Sequence, residues 1–126
     1  MKEETISRIA VVILAIVLAA FGIFHFVHPK NMLVFVPDSL PGGIIWVYVV
    51  GAAFILVALA LILHKQVKLA SYLLAFMLII FVLTIHLPNF LQSGDVDMKQ
   101  QSLVSLLKDS ALAAFALYIA SNSKTT

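Results

Sequence analysis

The chain has 126 residues, of which 63% are hydrophobic and only 11% are charged. A soluble domain of this length has too little interior for so many apolar side chains, and charged residues usually make up about 25% of a soluble chain. The composition therefore excludes a disordered chain and an ordinary soluble enzyme, and it indicates a membrane protein. The net charge of +2 comes without a basic stripe, so no nucleic-acid partner is expected.

Cysteine is absent from the chain. Its absence excludes disulfides, thiolate metal sites, iron–sulfur clusters and catalytic thiols, including a dithiol pair that would exchange electrons with a quinone. No local spacing of histidines and carboxylates is typical of a metal site either. We therefore expect no metal and no cofactor intrinsic to the chain.

Four apolar stretches predict four transmembrane helices. A bilayer core needs roughly 20 apolar residues of helix, and lipid offers no partners for backbone amides, so each spanning stretch must be helical. The fourth stretch contains a charged pair, which lowers its hydropathy without preventing insertion. The expected fold is all-α, a single membrane domain over residues 1–126 with four helices in a compact bundle. The predicted spans cover approximately residues 7–27, 44–64, 69–87 and 101–121.

The basic residues predict the orientation of the bundle. An even number of spans leaves both termini on one side of the membrane. That side carries five basic residues and the other carries two, so the positive-inside rule makes the first side cytoplasmic. The five are Lys2, Arg8, Lys65, Lys68 and Lys124, and the two are Lys30 and Lys99.

Two long connections are expected on the outer side. The first, residues 28–43, contains the apolar run 32–36, which forms a lid over the bundle or rests on lipid headgroups. The second connection is expected to cover residues 88–102. Within it, Asp97 and Gln100 have the spacing of a capping box, which predicts that the last helix starts near Met98.

Five residues form a polar layer in the outer half of the predicted bundle: His25, Trp46, His86, Lys108 and Asp109. Each residue also has a simpler interpretation. Trp46 is typical of an interfacial aromatic belt, and the two histidines are typical of helix ends that contact headgroups. Lys108 is typical of a side chain that snorkels to the interface. Asp109 is too short to reach the interface and needs a partner or a proton. Ionisable residues inside a membrane are candidates for function.

Small residues suggest how these helices pack. We expect spans one and four to pack closely and to place His25 near Asp109, so that Asp109 contacts His25 or His86. Lys108 points about 100° away from Asp109 on the helix and is expected to pair with it poorly. The small residues of span one are at positions 15, 19 and 22. The small or polar residues of span four are at positions 102, 105, 113 and 116.

In order and spacing, several short motifs resemble the DoxX family of small four-helix membrane proteins. One departure is Phe54, at a position one turn after Gly51 where the family often has a glutamate, so a role for that carboxylate does not carry over. The matching pieces are Gly22-Ile23-Phe24-His25-Phe26 with Pro29, Pro37 and Pro41 before Trp46, Gly51, His86, and Lys108-Asp109-Ser110-Ala111-Leu112.

The resemblance implies an accessory subunit of a membrane redox system in a bacterial or archaeal plasma membrane. Some archaeal members are subunits of a thiosulfate:quinone oxidoreductase. A quinone or lipid headgroup would bind to the polar layer formed by His25, Trp46, His86, Lys108 and Asp109, and activity of the chain alone is left open. The alternative is a non-enzymatic assembly or interaction factor. Expected partners are membrane lipid and either a redox subunit, a client membrane protein or a second copy of the chain.

Overall fold

The computed structural model describes residues 2–36, 38 and 40–124. Pro37, one of the residues that carry the resemblance, lies outside this part. Every regular element in the described residues is helical. The elements are α1 (Glu3–Val27), α2 (Pro29–Leu33), α3 (Ile44–Leu63), α4 (Val67–Phe81), a π turn (Val82–His86), α5 (Leu87–Gln92) and α6 (Val96–Asn122).

In the described part of the chain, four helical segments are long and apolar enough to cross a membrane, which confirms the predicted all-α, four-span fold. The third span combines α4, the π turn and α5, and the others are α1, α3 and α6. Because successive spans alternate in direction, α1 begins and α6 finishes at the same end, which we call the terminal end. The opposite end, with residues 28–43 and 93–95, is the loop end. Which end faces the cytoplasm stays a prediction.

A short turn at the terminal end joins α3 to α4. Its backbone is left-handed at His64 (φ 56°) and Gln66 (φ 52°). Arg8 of α1 reaches two carbonyl groups in the last turn of α3, where a helix runs short of backbone donors. Its Nη1 donates to the Leu61 carbonyl oxygen at 2.8 Å and its Nη2 to that of Ile62 at 2.6 Å. The guanidinium therefore links α1 to the last turn of α3.

The start of α6 differs from the prediction. Asp95 is the capping residue, and its Oδ1 accepts a hydrogen bond from the Asp97 backbone N–H at 3.2 Å. The helix begins at Val96, two residues before the predicted start near Met98, because the cap is Asp95 and not Asp97. The second outer connection is also shorter than expected, since only residues 93–95 separate α5 from α6.

Glycines bring α1 and α3 into backbone contact. A Cβ added to Gly22 would lie 2.8 Å from the Gly51 carbonyl oxygen, and one added to Gly51 would lie 2.7 Å from the Cβ of His25. The expected close packing of spans one and four was wrong. Among the described residues, α1 packs chiefly on α3 and α6 chiefly on α4. A small-residue face predicts a close neighbour without identifying which helix that neighbour is.

The apolar core fills the bundle from the terminal end to its middle. Leu18, Leu61, Leu74 and Leu78 are fully buried there. Phe54 belongs both to this core and to the wall of a cavity at the loop end. The tightly packed half of the molecule therefore forms the floor of that cavity.

Candidate functional site

A cavity of about 340 Å³ opens at the loop end of the bundle. All four spans and the connection 28–43 contribute to its lining, which is mostly apolar. Its volume lies at the lower end of the range of small-molecule sites. The structure brings all five predicted site residues to this one cavity, and their role in binding a ligand stays a prediction. They are His25, Trp46, His86, Lys108 and Asp109.

Asp109 is the buried centre of the polar groups, with 4% of its surface exposed. Its Oδ2 lies 2.9 Å from His86 Nε2, and its Oδ1 lies 3.2 Å from Lys108 Nζ in an ion pair. The predicted contact between Asp109 and a histidine is therefore confirmed for His86. The expectation that Lys108 would pair poorly with Asp109 was wrong, because the flexible lysine side chain brings its ammonium to the carboxylate despite the angle between the two positions.

The Lys108 ammonium has a second contact within the bundle. Nζ lies 4.6 Å from the ring centroid of Phe21 on α1, which is a cation–π geometry. Although 44% of the Lys108 side chain is exposed, its charged end is directed to Asp109 and Phe21. The positive and negative charges compensate each other, which lowers the cost of burying the carboxylate.

His86 stands at the end of the π turn. Pro88 has no N–H, so it cannot make the α-helical bond to the Thr84 carbonyl, and the widened turn accommodates this break. In this turn the Leu87 N–H bonds to the Val82 carbonyl, five residues earlier, as in a π-helix. The His86 side chain is buried, and no protein group in the described residues bonds its Nδ1. The sequence analysis did not identify the π turn, although Pro88 was a signal for a local break.

His25 lines the cavity from α1, which forms a pair with α3 on the side of the bundle away from His86. Its Nδ1 lies 2.6 Å from the carbonyl oxygen of Phe21, one turn earlier in α1. Its ring packs edge-on against Phe54, at 5.4 Å between centroids. His25 and Asp109 line the same cavity, as expected, but in the described residues no hydrogen bond or ion pair joins them, and the predicted contact with a histidine is made by His86. The α1–α3 packing holds the imidazole against an aromatic ring instead.

The connection 28–43 forms a wall of the cavity. Four of its described residues line the space, and the Phe35 ring packs edge-on against His86, at 5.7 Å between centroids. Trp46, which follows the connection, donates from Nε1 to the Pro41 carbonyl at 2.6 Å. The apolar run in this segment was noted in the sequence, but its contact with His86 depends on the fold. The four residues are Met32, Phe35, Val36 and Leu40.

Several lining residues escaped the sequence analysis. Phe21 and Phe81 approach from different spans, and Ser105 and Gln101 lie one and two turns before Asp109 on α6. The face predicted around Asp109 included Ser105, so helical spacing found part of this set. In the described residues, no group of three or more histidines and carboxylates lies close enough to hold a metal ion.

Comparisons with known proteins give a family without a known function. A family model described as a domain of unknown function, DUF8561, matches residues 14–120. The matched segment contains most of the four spans and all five residues predicted for the site. No curated protein and no solved structure matches the chain.

Proposed function

The chain belongs to the DUF8561 family, and we propose that it is a membrane-embedded quinone-binding protein that serves as an accessory subunit of a redox system. The observation that carries this proposal is the loop-end cavity, in which aromatic walls surround one buried cluster of polar groups. The proposal includes the bacterial or archaeal plasma membrane as its location.

The aromatic walls favour a flat ring as the ligand. Five aromatic side chains from three spans and the outer connection line the cavity, and aromatic groups pack well in offset and edge-to-face arrangements. A ring that entered from the lipid would exchange lipid contacts for these. The five are Phe21, Phe35, Trp46, Phe54 and Phe81.

The polar cluster favours a neutral head over an anionic one. Lys108 carries three N–H donors, of which one is directed to Asp109. The remaining donors can bond to a quinone carbonyl oxygen. A phosphate would need an uncompensated positive charge, but the carboxylate of Asp109 already balances the ammonium. The site chemistry therefore supports a quinone better than the headgroup of an acidic lipid.

The resemblance to the DoxX family supports the redox part of the proposal. It rests on the motifs around His25, His86 and Asp109, and some members of that family work with quinones. The chain has no cysteine, so it supplies no thiol that could reduce a bound quinone. We therefore assign electron transfer to a partner subunit, for which this protein holds the quinone.

Trp46 provides a direct test, because it is the only tryptophan in the chain and it lines the cavity. Purified protein in lipid nanodiscs is titrated with decylbenzoquinone while the tryptophan fluorescence is recorded. We expect saturable quenching. Asp109→Leu removes the group that holds Lys108 and His86, and it should weaken quinone binding about tenfold.

Tyr72→Phe is the matched control, because Tyr72 is exposed and is absent from the cavity lining. It should bind like the wild type. Quenching that rises linearly and equally in all variants would mean that the quinone only partitions into lipid, and it would refute the proposal. Retention of a phospholipid in native mass spectrometry, with no quinone bound, would favour the assembly or interaction factor.

A further inference from the structure

We propose that the cavity binds the reduced, hydroxyl-bearing form of its ring ligand more tightly than the oxidised form, with His86 Nδ1 as the acceptor of the ligand's O–H. This inference rests on the proposed function and specifies the redox state that the same site selects. Its basis is the hydrogen bonding of one buried imidazole, whose two nitrogens have different surroundings.

The contact with Asp109 determines which nitrogen of His86 carries the proton. Lys108 Nζ forms an ion pair with Oδ1 at 3.2 Å. An ionised carboxylate only accepts hydrogen bonds, so His86 Nε2, at 2.9 Å from Oδ2, must donate. In the neutral imidazole the other nitrogen, Nδ1, then carries a lone pair.

Among the described residues, Nδ1 has no hydrogen-bond partner. It is buried, and no donor among the described residues bonds to it. Only 7% of the His86 surface is exposed, and the neighbouring Phe35 ring offers no N–H or O–H. A buried acceptor without a partner is unfavourable. His86 lines the cavity, and a ligand whose O–H reaches Nδ1 gains the bond that no described residue supplies.

This requirement separates the two forms of a quinone. A hydroquinone hydroxyl donates to Nδ1, whereas the oxygen of the oxidised form is itself an acceptor and repels that lone pair. Lys108 does not discriminate, since its ammonium donates to the oxygen of either form. The preference for the reduced form therefore comes from His86, and Asp109 acts as the positioning residue that sets its tautomer.

The test compares decylbenzoquinone with the corresponding hydroquinone on the full chain in nanodiscs, by calorimetric titration without oxygen. The reduced form should bind roughly tenfold more tightly. Equal affinities, or tighter binding of the oxidised form, would overturn the inference while leaving quinone binding intact. No binding of either form would refute the proposed function itself.

The variant Asp109→Asn tests directly whether Asp109 sets the tautomer of His86. Lys108 lies on the Oδ1 side and keeps the amide oxygen, so the amide N–H faces His86 Nε2 and donates to it. Nε2 becomes the acceptor, the proton moves to Nδ1, and the preference should reverse in favour of the oxidised form. Ser110→Ala, at the exposed neighbouring position, should keep the wild-type preference. Retention of that preference by Asp109→Asn would contradict the tautomer argument.

His86→Phe keeps the test decisive if the asparagine variant does not fold. It removes Nδ1 and leaves a ring of similar shape. Its affinity for the hydroquinone should fall about tenfold, to the level of the quinone. A preference for the reduced form that survives in His86→Phe would assign the selection to another group and overturn the inference.

Discussion

Asp109 shows how single residues make a charge tolerable inside this bundle. The carboxylate is buried, and its two oxygens have different partners, Lys108 on one side and His86 on the other. Removing one member of such a group costs more than replacing the charged pair, because a buried charge is left uncompensated. The cluster therefore behaves as a unit, and variants should be compared in combination.

The first prediction concerns this unit. Lys108→Met should lower the free energy of unfolding by about 1–3 kcal/mol, because Asp109 loses its counter-charge. The double variant Lys108→Met with Asp109→Leu should be more stable than Lys108→Met alone. Unfolding of the purified protein in mixed micelles, followed by circular dichroism, measures both. If the effects of the two substitutions simply add, the two side chains are not energetically coupled.

Arg8 provides a second prediction at the scale of single residues. Arg8→Leu removes two hydrogen bonds to the last carbonyl groups of α3 and should lower the free energy of unfolding by about 1–2 kcal/mol. Arg8→Lys should lose part of this, since an ammonium lacks the planar fork that reaches both oxygens. The same unfolding measurement applies. Lys124→Leu serves as the charge control, because no hydrogen bond joins Lys124 to α3 in the described residues, and an equal loss of stability in this variant would mean that net charge alone causes the effect.

At the scale of elements, the α1–α3 contact depends on two glycines. Gly51→Ala places a Cβ 2.7 Å from the Cβ of His25, so the helices must separate. We expect a loss of about 1–3 kcal/mol in the free energy of unfolding, together with weaker quinone binding as His25 shifts.

Gly94→Ala is the control for this third prediction. A Cβ at Gly94 meets nothing within 4 Å, and its backbone is not left-handed. This variant should unfold like the wild type. If Gly51→Ala also unfolds like the wild type, the backbone contact between α1 and α3 is less close than described.

The π turn is the second element on which the site depends. It lies directly before α5 and ends at His86, the histidine that contacts Asp109. The Thr84 hydroxyl donates to the Ile80 carbonyl within this region at 2.6 Å, so a side chain bonds where the regular helix is interrupted. π turns are frequent at functional sites, and this one lies in the wall of the cavity.

At the scale of the whole molecule, the open question is which end faces the cytoplasm. The count of basic residues predicts that the terminal end faces the cytoplasm and that the cavity lies in the outer half of the bilayer. Since the chain has no cysteine, single cysteines can report each connection without a background. This gives the fourth prediction.

Leu40→Cys and Gly94→Cys should react with a membrane-impermeant maleimide in intact cells, and Gln66→Cys should react only after the cells are opened. All three positions are exposed in the structure, so each result reports the side of the membrane. Labelling of Gln66→Cys alone in intact cells would reverse the orientation and place the cavity toward the cytoplasm.

The sequence by itself determined the fold class and identified the candidate site residues. Four apolar stretches long enough for a bilayer require helices, because lipid leaves backbone amides no other partners. A carboxylate such as Asp109 inside a span had to find a partner, because its burial is costly. Depth along the helices, at 1.5 Å per residue, predicted that His25, Trp46, His86 and Lys108 share one layer, and all four line the same cavity.

Only the tertiary structure decided which of these groups meet. Gly22 packs on Gly51 of α3 and not on α6, because small residues permit a close approach to any helix of complementary shape. That pairing leaves His25 beside Phe54, while the α4–α6 pairing brings His86 to Asp109. Hydropathy and helical period are properties of each helix alone. The choice of neighbours depends on how the surfaces of all four fit together.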